Sequence, residues 1–232
     1  MKQVLQSYRT GELWLAEVPM AACGRGGVLV RTRCSLVSAG TEKMLMTLAK
    51  KSLLGKAKAR PDLVKQVLKK IKTEGFKSTM EQVFAKLDEP ISLGYSAAGE
   101  VLEVGREVGS FQPGDRVAVA GAGYAAHAEF NCVPENLCAK IPEGVSYADA
   151  SFATIGSIAL QGVRQTQPQL GERIVVIGLG LLGLLTVQIL KANGCAVMGV
   201  DPDEEKVALA LKFGADVAVH SGAEKACAAF TG

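Results

Sequence analysis

Histidine is scarce in this 232-residue sequence: only His127 and His220 occur. The six cysteines, at 23, 34, 132, 138, 195 and 227, form no C-x-x-C pair and read as reduced thiols of a cytosolic protein. The first ten residues, M-K-Q-V-L-Q-S-Y-R-T, lack the apolar core of a secretory signal. No paired-carboxylate site, nucleophile elbow or P-loop is apparent. Net charge is only +3, which by itself implies no nucleic-acid or membrane partner. What remains, 48% hydrophobic and 21% charged, is an ordinary globular composition, long enough for one large or two modest domains.

What is present centres on residues 173–201. Residues 173–177, R-I-V-V-I, form a short β-branched run that reads as a buried strand. Gly178, Gly180 and Gly183 follow at G-x-G-x-x-G spacing, with Leu179, Leu181 and Leu182 between them. An apolar helical stretch continues to Ala192 and stops at Asn193-Gly194. A second strand, 196–200, ends in Asp201. Gly178 allows a tight turn, Gly180 a close backbone approach to a pyrophosphate, and Gly183 close helix–strand packing. The helix N-terminus offers free N–H groups and a positive dipole end to phosphates. Asp201 is placed to accept from a ribose 2′-hydroxyl and to repel a 2′-phosphate, so NAD is expected ahead of NADP. Two other readings exist. One is a purely structural βαβ unit. The other is a membrane helix, because residues 174–190 carry no charge, but that run barely reaches a span and holds three glycines and Gln188.

Residues 1–42 read as β structure. Residues 2–8 and 12–15 flank a turn at Thr10-Gly11, and 28–35 alternate, with Val28, Val30, Thr32 and Cys34 on one face. Residues 43–90 look like a helical insert. Pro61 suits a first helical position, and Leu63, Val64, Val67, Leu68 and Ile71 form one apolar face. Ser78 with Glu81 makes a capping-box pattern, followed by Met80, Val83, Phe84 and Leu87 on the next face. Between Lys50 and Lys72 the net charge is +8, so the rest of the chain carries −5. That stretch is either a basic lid or docking surface or a solvated helix face. Residues 91–145 return to β structure, with a turn at Pro113-Gly114-Asp115 and a Gly-rich loop and strand from 121 to 130. Residues 146–170 read as a linking helical segment, and 203–213 as the helix after Asp201. A third strand is expected at 215–220.

This pattern resembles the medium-chain dehydrogenase/reductase family over nearly the whole chain. Residues 94–99, 101–105 and 114–117 look like that family's G-H-E-x-x-G, V-x-x-V-G and G-D-R-V blocks, and Ala39-Gly40-Thr41-Glu42 like its C-G-T-D motif. Asp201 followed by Lys206 matches its ribose-binding acid and a lysine five residues on. The resemblance implies a mixed α/β and β chain. A GroES-like substrate domain would span 1–150, with its helical insert at 43–90, and the first half of a Rossmann NAD-binding domain would span 151–232. The departures also carry meaning. Ala39 stands for the family's first zinc-binding Cys, Tyr95-Ser96 for its His-Glu pair, and Ala153 about where the last Cys would fall. Cys132 and Cys138 are only two of the four cysteines a structural zinc would need. The sequence therefore resembles a zinc-free branch, with no metal expected. The insert and S-A-G-T-E resemble long chains in which such a module precedes a second dehydrogenase-like module.

Such an enzyme, lacking a Lewis acid, needs a hydrogen-bond donor or general acid at the reacting oxygen. Tyr95 takes a metal ligand's place and is one candidate, against a core or rim tyrosine. Thr41 matches the family's hydroxyl relay and Glu42 its supporting acid, against turn stabilisation or a helix cap. His127 reads as a strand-end surface histidine or a proton shuttle, and His220 as uninvolved. The implied activity is a zinc-independent, NAD-linked oxidoreductase of an alcohol, carbonyl or activated alkene. Its expected partner is a small, sugar-like substrate, its expected place the cytoplasm, and its expected form a homo-oligomer. A quinone- or enoyl-reductase-like enzyme and a non-catalytic NAD-binding module are the alternatives. Rossmann strands four to six have no counterpart before Gly232. The expectation is that residues 1–232 alone are incomplete as a catalyst, with strand one an open edge.

Overall fold

The computed structural model describes residues 1–52, 55, 58 and 61–231, and for Leu63 the backbone alone. Lys56 and Arg60 of the basic stretch therefore lie outside the described residues, as does the Leu63 side chain. The chain divides into two compact units, Met1–Phe152 and Ala153–Gly232. No described helix is long and apolar enough to cross a membrane.

The first unit is built on two antiparallel sheets. Strands β1 (Lys2–Ser7), β2 (Leu13–Glu17) and β4 (Pro90–Ser92) pair in the order β2-β1-β4. Strands β3 (Gly27–Ser35), β5 (Ser96–Val104), β6 (Arg116–Ala120), β7 (Phe130–Pro134) and β8 (Cys138–Lys140) pair in the order β7-β3-β5-β6-β8. Val28, Val30, Val101, Val117, Val119 and Val133 fill the core of the larger sheet. The alternation expected along β3 holds only from Arg31 onward. Val28, Leu29 and Val30 are all buried, because this part of the strand is covered on both faces. The Pro113-Gly114-Asp115 turn forms as expected, with the Asp115 N–H donating to the Gln112 carbonyl.

The insert contains α1 (Ala39–Ala49), α2 (Pro61–Glu74) and α3 (Phe76–Asp88). Helix α1 begins four residues before the expected insert, so Thr41 and Glu42 sit in its first turn. Pro61 opens α2, where its missing N–H costs nothing. Val64, Val67 and Ile71 of α2 and Met80, Val83 and Leu87 of α3 are partly buried as these helices pack together, whereas Leu68 and Phe84 remain exposed. The capping box expected at Ser78 does not form. Gly75, at φ +84, ends α2 and turns the chain directly into α3, so Ser78 falls inside the first turn of that helix. There its Oγ accepts a hydrogen bond from the Gln82 side chain. Helix α4 (Tyr147–Ala150) is capped by Ser146, whose Oγ accepts from the Asp149 N–H.

The second unit is a parallel three-stranded sheet with helices. It runs α5 (Ala153–Thr166), β9 (Arg173–Ile177), α6 (Leu181–Ala192), β10 (Ala196–Val200), α7 (Glu204–Lys212), β11 (Val217–Val219) and α8 (Ala223–Thr231). The strand order β11-β10-β9 is the 3-2-1 half of a Rossmann sheet. Val163, Val176, Leu179, Val187, Leu190, Val197 and Ala210 form its core. Strand β11 is shorter than the expected 215–220: the Ala215 N–H still closes the end of α7 on the Ala210 carbonyl, and the ladder begins as the Asp216 N–H donates to the Val197 carbonyl. Helix α8 was not anticipated. Strand β9 pairs with β10 alone among the described residues, and Ile177 at its end is 84% exposed.

Candidate functional site

The glycine-rich turn after β9 assembles as its spacing demands. Gly178 has φ +90, a conformation L side chains rarely adopt, and its N–H donates to the Val200 carbonyl at 2.8 Å. A Cβ on Gly183 would meet the Gly178 carbonyl oxygen at 1.9 Å, so only glycine lets α6 close onto the turn. Gly180 faces open space, with nothing within 4 Å of where a Cβ would stand. Helix α6 makes its first internal bond from the Leu184 N–H to the Gly180 carbonyl, at 2.9 Å. The N–H groups of Leu181, Leu182 and Gly183 precede that bond and form the positive end of the helix.

Leu179 has a different task from its glycine neighbours. Its side chain is fully buried in the core of the second unit, and its N–H donates to Asp201 Oδ2 at 2.8 Å. It therefore holds the turn in place rather than offering its amide to a phosphate. Asp201 is 7% exposed, and its Oδ1 accepts from the Asp203 N–H at 3.0 Å. Lys206 Nζ stands 3.6 Å from Asp201 Oδ1 and 3.2 Å from Asp203 Oδ2. The Leu179 N–H, then the Asp203 N–H and the Lys206 ammonium, hold the Asp201 carboxyl below the usual carboxylate range. Each oxygen keeps a second lone pair for a hydroxyl donor. Asp203 Oδ1 in turn caps α7 through the Glu205 N–H.

The first unit brings together residues far apart in sequence. Glu42, in the first turn of α1, is buried, and its Oε1 accepts from the Ser38 N–H at 3.0 Å. His127 Nε2 lies 3.2 and 3.3 Å from the two Glu42 oxygens, and Nδ1 lies 2.9 Å from Ser35 Oγ. A carboxylate only accepts, so Nε2 carries the hydrogen in this pair. Gly94, at φ +93, makes room for the imidazole: a Cβ there would come within 2.7 Å of the His127 nitrogen of the main chain. The strand-end surface reading of His127 is thus overturned, since its side chain is only 11% exposed. Separations of 85 and 92 residues leave no sequence signal for this cluster; the folding of the Gly-rich loop over β3 and α1 creates it.

Thr41 is exposed beside this cluster, and its Oγ1 accepts from Ser38 Oγ at 3.3 Å. Tyr95 is partly buried; its carbonyl accepts from the Gly121 N–H, and among the described residues its hydroxyl makes no hydrogen bond. Ser96 is buried and donates to the Ser151 carbonyl, which removes it from any surface chemistry. His220 is exposed, 3.7 Å from Glu204. Among the described residues, no three His, Cys, Asp or Glu side chains converge as metal ligands.

Comparison with known proteins supplies the context. Residues 64–143 match the family model described as the alcohol dehydrogenase GroES-like domain, and residues 182–232 the one described as zinc-binding dehydrogenase. The chain is 32% identical to D-guloside 3-dehydrogenase of Escherichia coli (strain K12) over 132 residues, covering 55% of this chain and 37% of that protein. It is similar to the crystal structure of a quinone oxidoreductase from Pseudomonas syringae pv. Tomato DC3000, with a TM-score of 0.70 at 25% identity, over 94% of this chain and 58% of that one. The Escherichia coli quinone oxidoreductase complexed with NADPH shares the fold, with a TM-score of 0.71 at 20% identity, over 94% of this chain and 58% of that one. The chain spans less than half the length of the curated relatives it matches. With a GroES-like match before a dehydrogenase match, in the order its own motifs require, the chain is similar to members of the medium-chain dehydrogenase/reductase family.

Proposed function

We propose that this chain serves a zinc-independent oxidoreductase that uses NAD to reduce or oxidise a small alcohol, carbonyl or activated alkene. The single observation carrying this is the Gly178–Gly183 turn: Gly180 faces open space at the N-terminus of α6, and Asp201 sits one strand away. The N–H groups of Gly180, Leu181, Leu182 and Gly183 would receive the pyrophosphate. Asp201 would accept a ribose hydroxyl through the lone pairs its backbone donors leave, with Lys206 beside it. A carboxylate at that place favours NAD over NADP, although an NADPH complex is known for a structural relative. When bound, the nicotinamide supplies the hydride donor or acceptor.

Zinc does not fit the residues present. Zinc takes thiolate, imidazole or carboxylate ligands, and Ala39, Tyr95 and Ser96 stand where the family places them. Proton and hydrogen-bond work then falls to hydroxyls. Tyr95 offers an uncommitted one. Thr41 Oγ1 already accepts from Ser38, which leaves its own hydrogen to donate. Glu42 orients that turn and is itself held by His127. The substrate is taken to be small and sugar-like, as the name of the D-guloside dehydrogenase relative supports. In this reading residues 1–150 handle substrate and 151–232 the cofactor, in the cytoplasm, as a homo-oligomer and beside a second dehydrogenase-like module. A quinone-reductase-like activity is the second reading, favoured by the Pseudomonas syringae likeness.

The test is NADH consumption by the full-length protein against carbonyl, sugar and quinone acceptors, after equilibrium titration with NADH. Binding with turnover supports the enzyme and separates the two readings. Binding that never consumes NADH leaves a non-catalytic nucleotide-binding module, and no binding refutes the proposal.

A further inference from the structure

Three thiols of the first unit, those of Cys23, Cys132 and Cys138, take no part in the sites described above. Cys23 Sγ lies 3.3 Å from the Gly27 carbonyl oxygen. Cys132 stands across the β3/β7 ladder from Leu29. A Cβ on Gly27 would come within 2.8 Å of Cys132 Sγ, so the glycine is the gap through which the two sulfurs meet. Both sulfurs thus lie against Gly27, and both residues are partly accessible to solvent. Cys138 is different. Its thiol leans on the Pro134 carbonyl, and burial pushes it up to about 12, which keeps it unreactive.

We propose that Cys23 and Cys132 are a modification site, a reversible disulfide formed by a peroxide and reopened by a dithiol reductant. One thiolate attacks a peroxide oxygen. The O–O bond breaks, leaving a sulfenic acid and a hydroxide that is taken up as water. The other thiol attacks the sulfenic sulfur, the S–O bond breaks, a second water departs and the S–S bond forms. Two thiols are thereby oxidised, and one hydrogen peroxide is reduced to two waters. Burial, then the adjacent Cys132 thiol, raise the Cys23 thiol, which suits it to the second, resolving step. The bond would pin residues 18–26, between β2 and β3, onto β7.

The test uses the whole protein. It is treated with hydrogen peroxide, quenched, alkylated and digested without reduction. The expected result is one linked peptide pair joining Cys23 to Cys132, an intact mass lower by two hydrogens before alkylation, and reversal by dithiothreitol. Cys138→Ser should form the same link and Cys23→Ser should lose it. A Cys132–Cys138 link would overturn the proposal. So would Cys23 and Cys132 both appearing alkylated, or separately oxidised to sulfinic acid. Peptide mapping of the unmodified chain decides this even where a variant misfolds.

Discussion

The Asp201 carboxylate accepts N–H groups from Leu179 and Asp203, and it also stands where a ribose would bind. The two roles can be separated by substitution. Asp201→Asn keeps an oxygen for the Leu179 N–H but loses the charge that repels a 2′-phosphate. It should leave the fold intact, weaken NAD binding by about tenfold and narrow the gap to NADP. Asp201→Ala should do this and also lower stability. Competitive titration of both cofactors checks the first outcome; tighter NADP than NAD binding by the unmodified protein would refute the NAD preference. Gly183→Ala forces a methyl into the Gly178 carbonyl, and should cost about 1–3 kcal/mol in urea unfolding. For Tyr95, phenylalanine in its place should lower kcat about 10²-fold if the hydroxyl is the general acid. Unchanged turnover would reduce it to packing.

At the scale of elements, α6, β10 and the turn before β11 are tied by one aspartate. Asp216 pairs with Lys191 at 2.8 Å and accepts the Val197 N–H. Lys191, then that N–H, hold the Asp216 carboxyl below its ordinary range. An unfolded aspartate titrates near about 3.9, so this contribution is complete above about pH 5 and disappears as pH falls through the lowered folded value. The urea midpoint of the second unit should therefore drop on acidification, and Asp216→Asn should flatten part of that drop. Asp201 and Asp203 are lowered too, so a residual slope should persist. The elements of this unit were legible because each carries its own local cue: a β-branched run, glycines at fixed offsets, Asn193-Gly194 as a stop. Helix α8 is fainter: Ala223, Ala226, Cys227 and Phe230 recur at helical spacing and form its partly buried face, but three of the four are small side chains and the stripe spans only two turns. Ser78 misled because a local motif was read without Gly75, whose positive φ had already placed the helix start. The Ser35–His127–Glu42 cluster is a product of topology, and no spacing rule reaches it.

On the scale of the molecule, each unit has its own apolar core, one around Val28, Val101 and Val117 and the other around Leu179, Val187 and Val197. NADH at about 100 times its Kd should stabilise the second unit by about 2.7 kcal/mol and leave the unfolding midpoint of the first unchanged. That comparison is unusually clean, because of where colour lies in the chain. Trp14 and all four tyrosines, at 8, 95, 124 and 147, fall within Met1–Phe152. The second unit holds only Phe213 and Phe230 as aromatics. Tryptophan emission and tyrosine absorbance thus report the first unit alone, while the second is optically dark until a reduced nicotinamide lights it. Phe213→Trp, at the partly exposed end of α7, would give the dark unit an emission of its own.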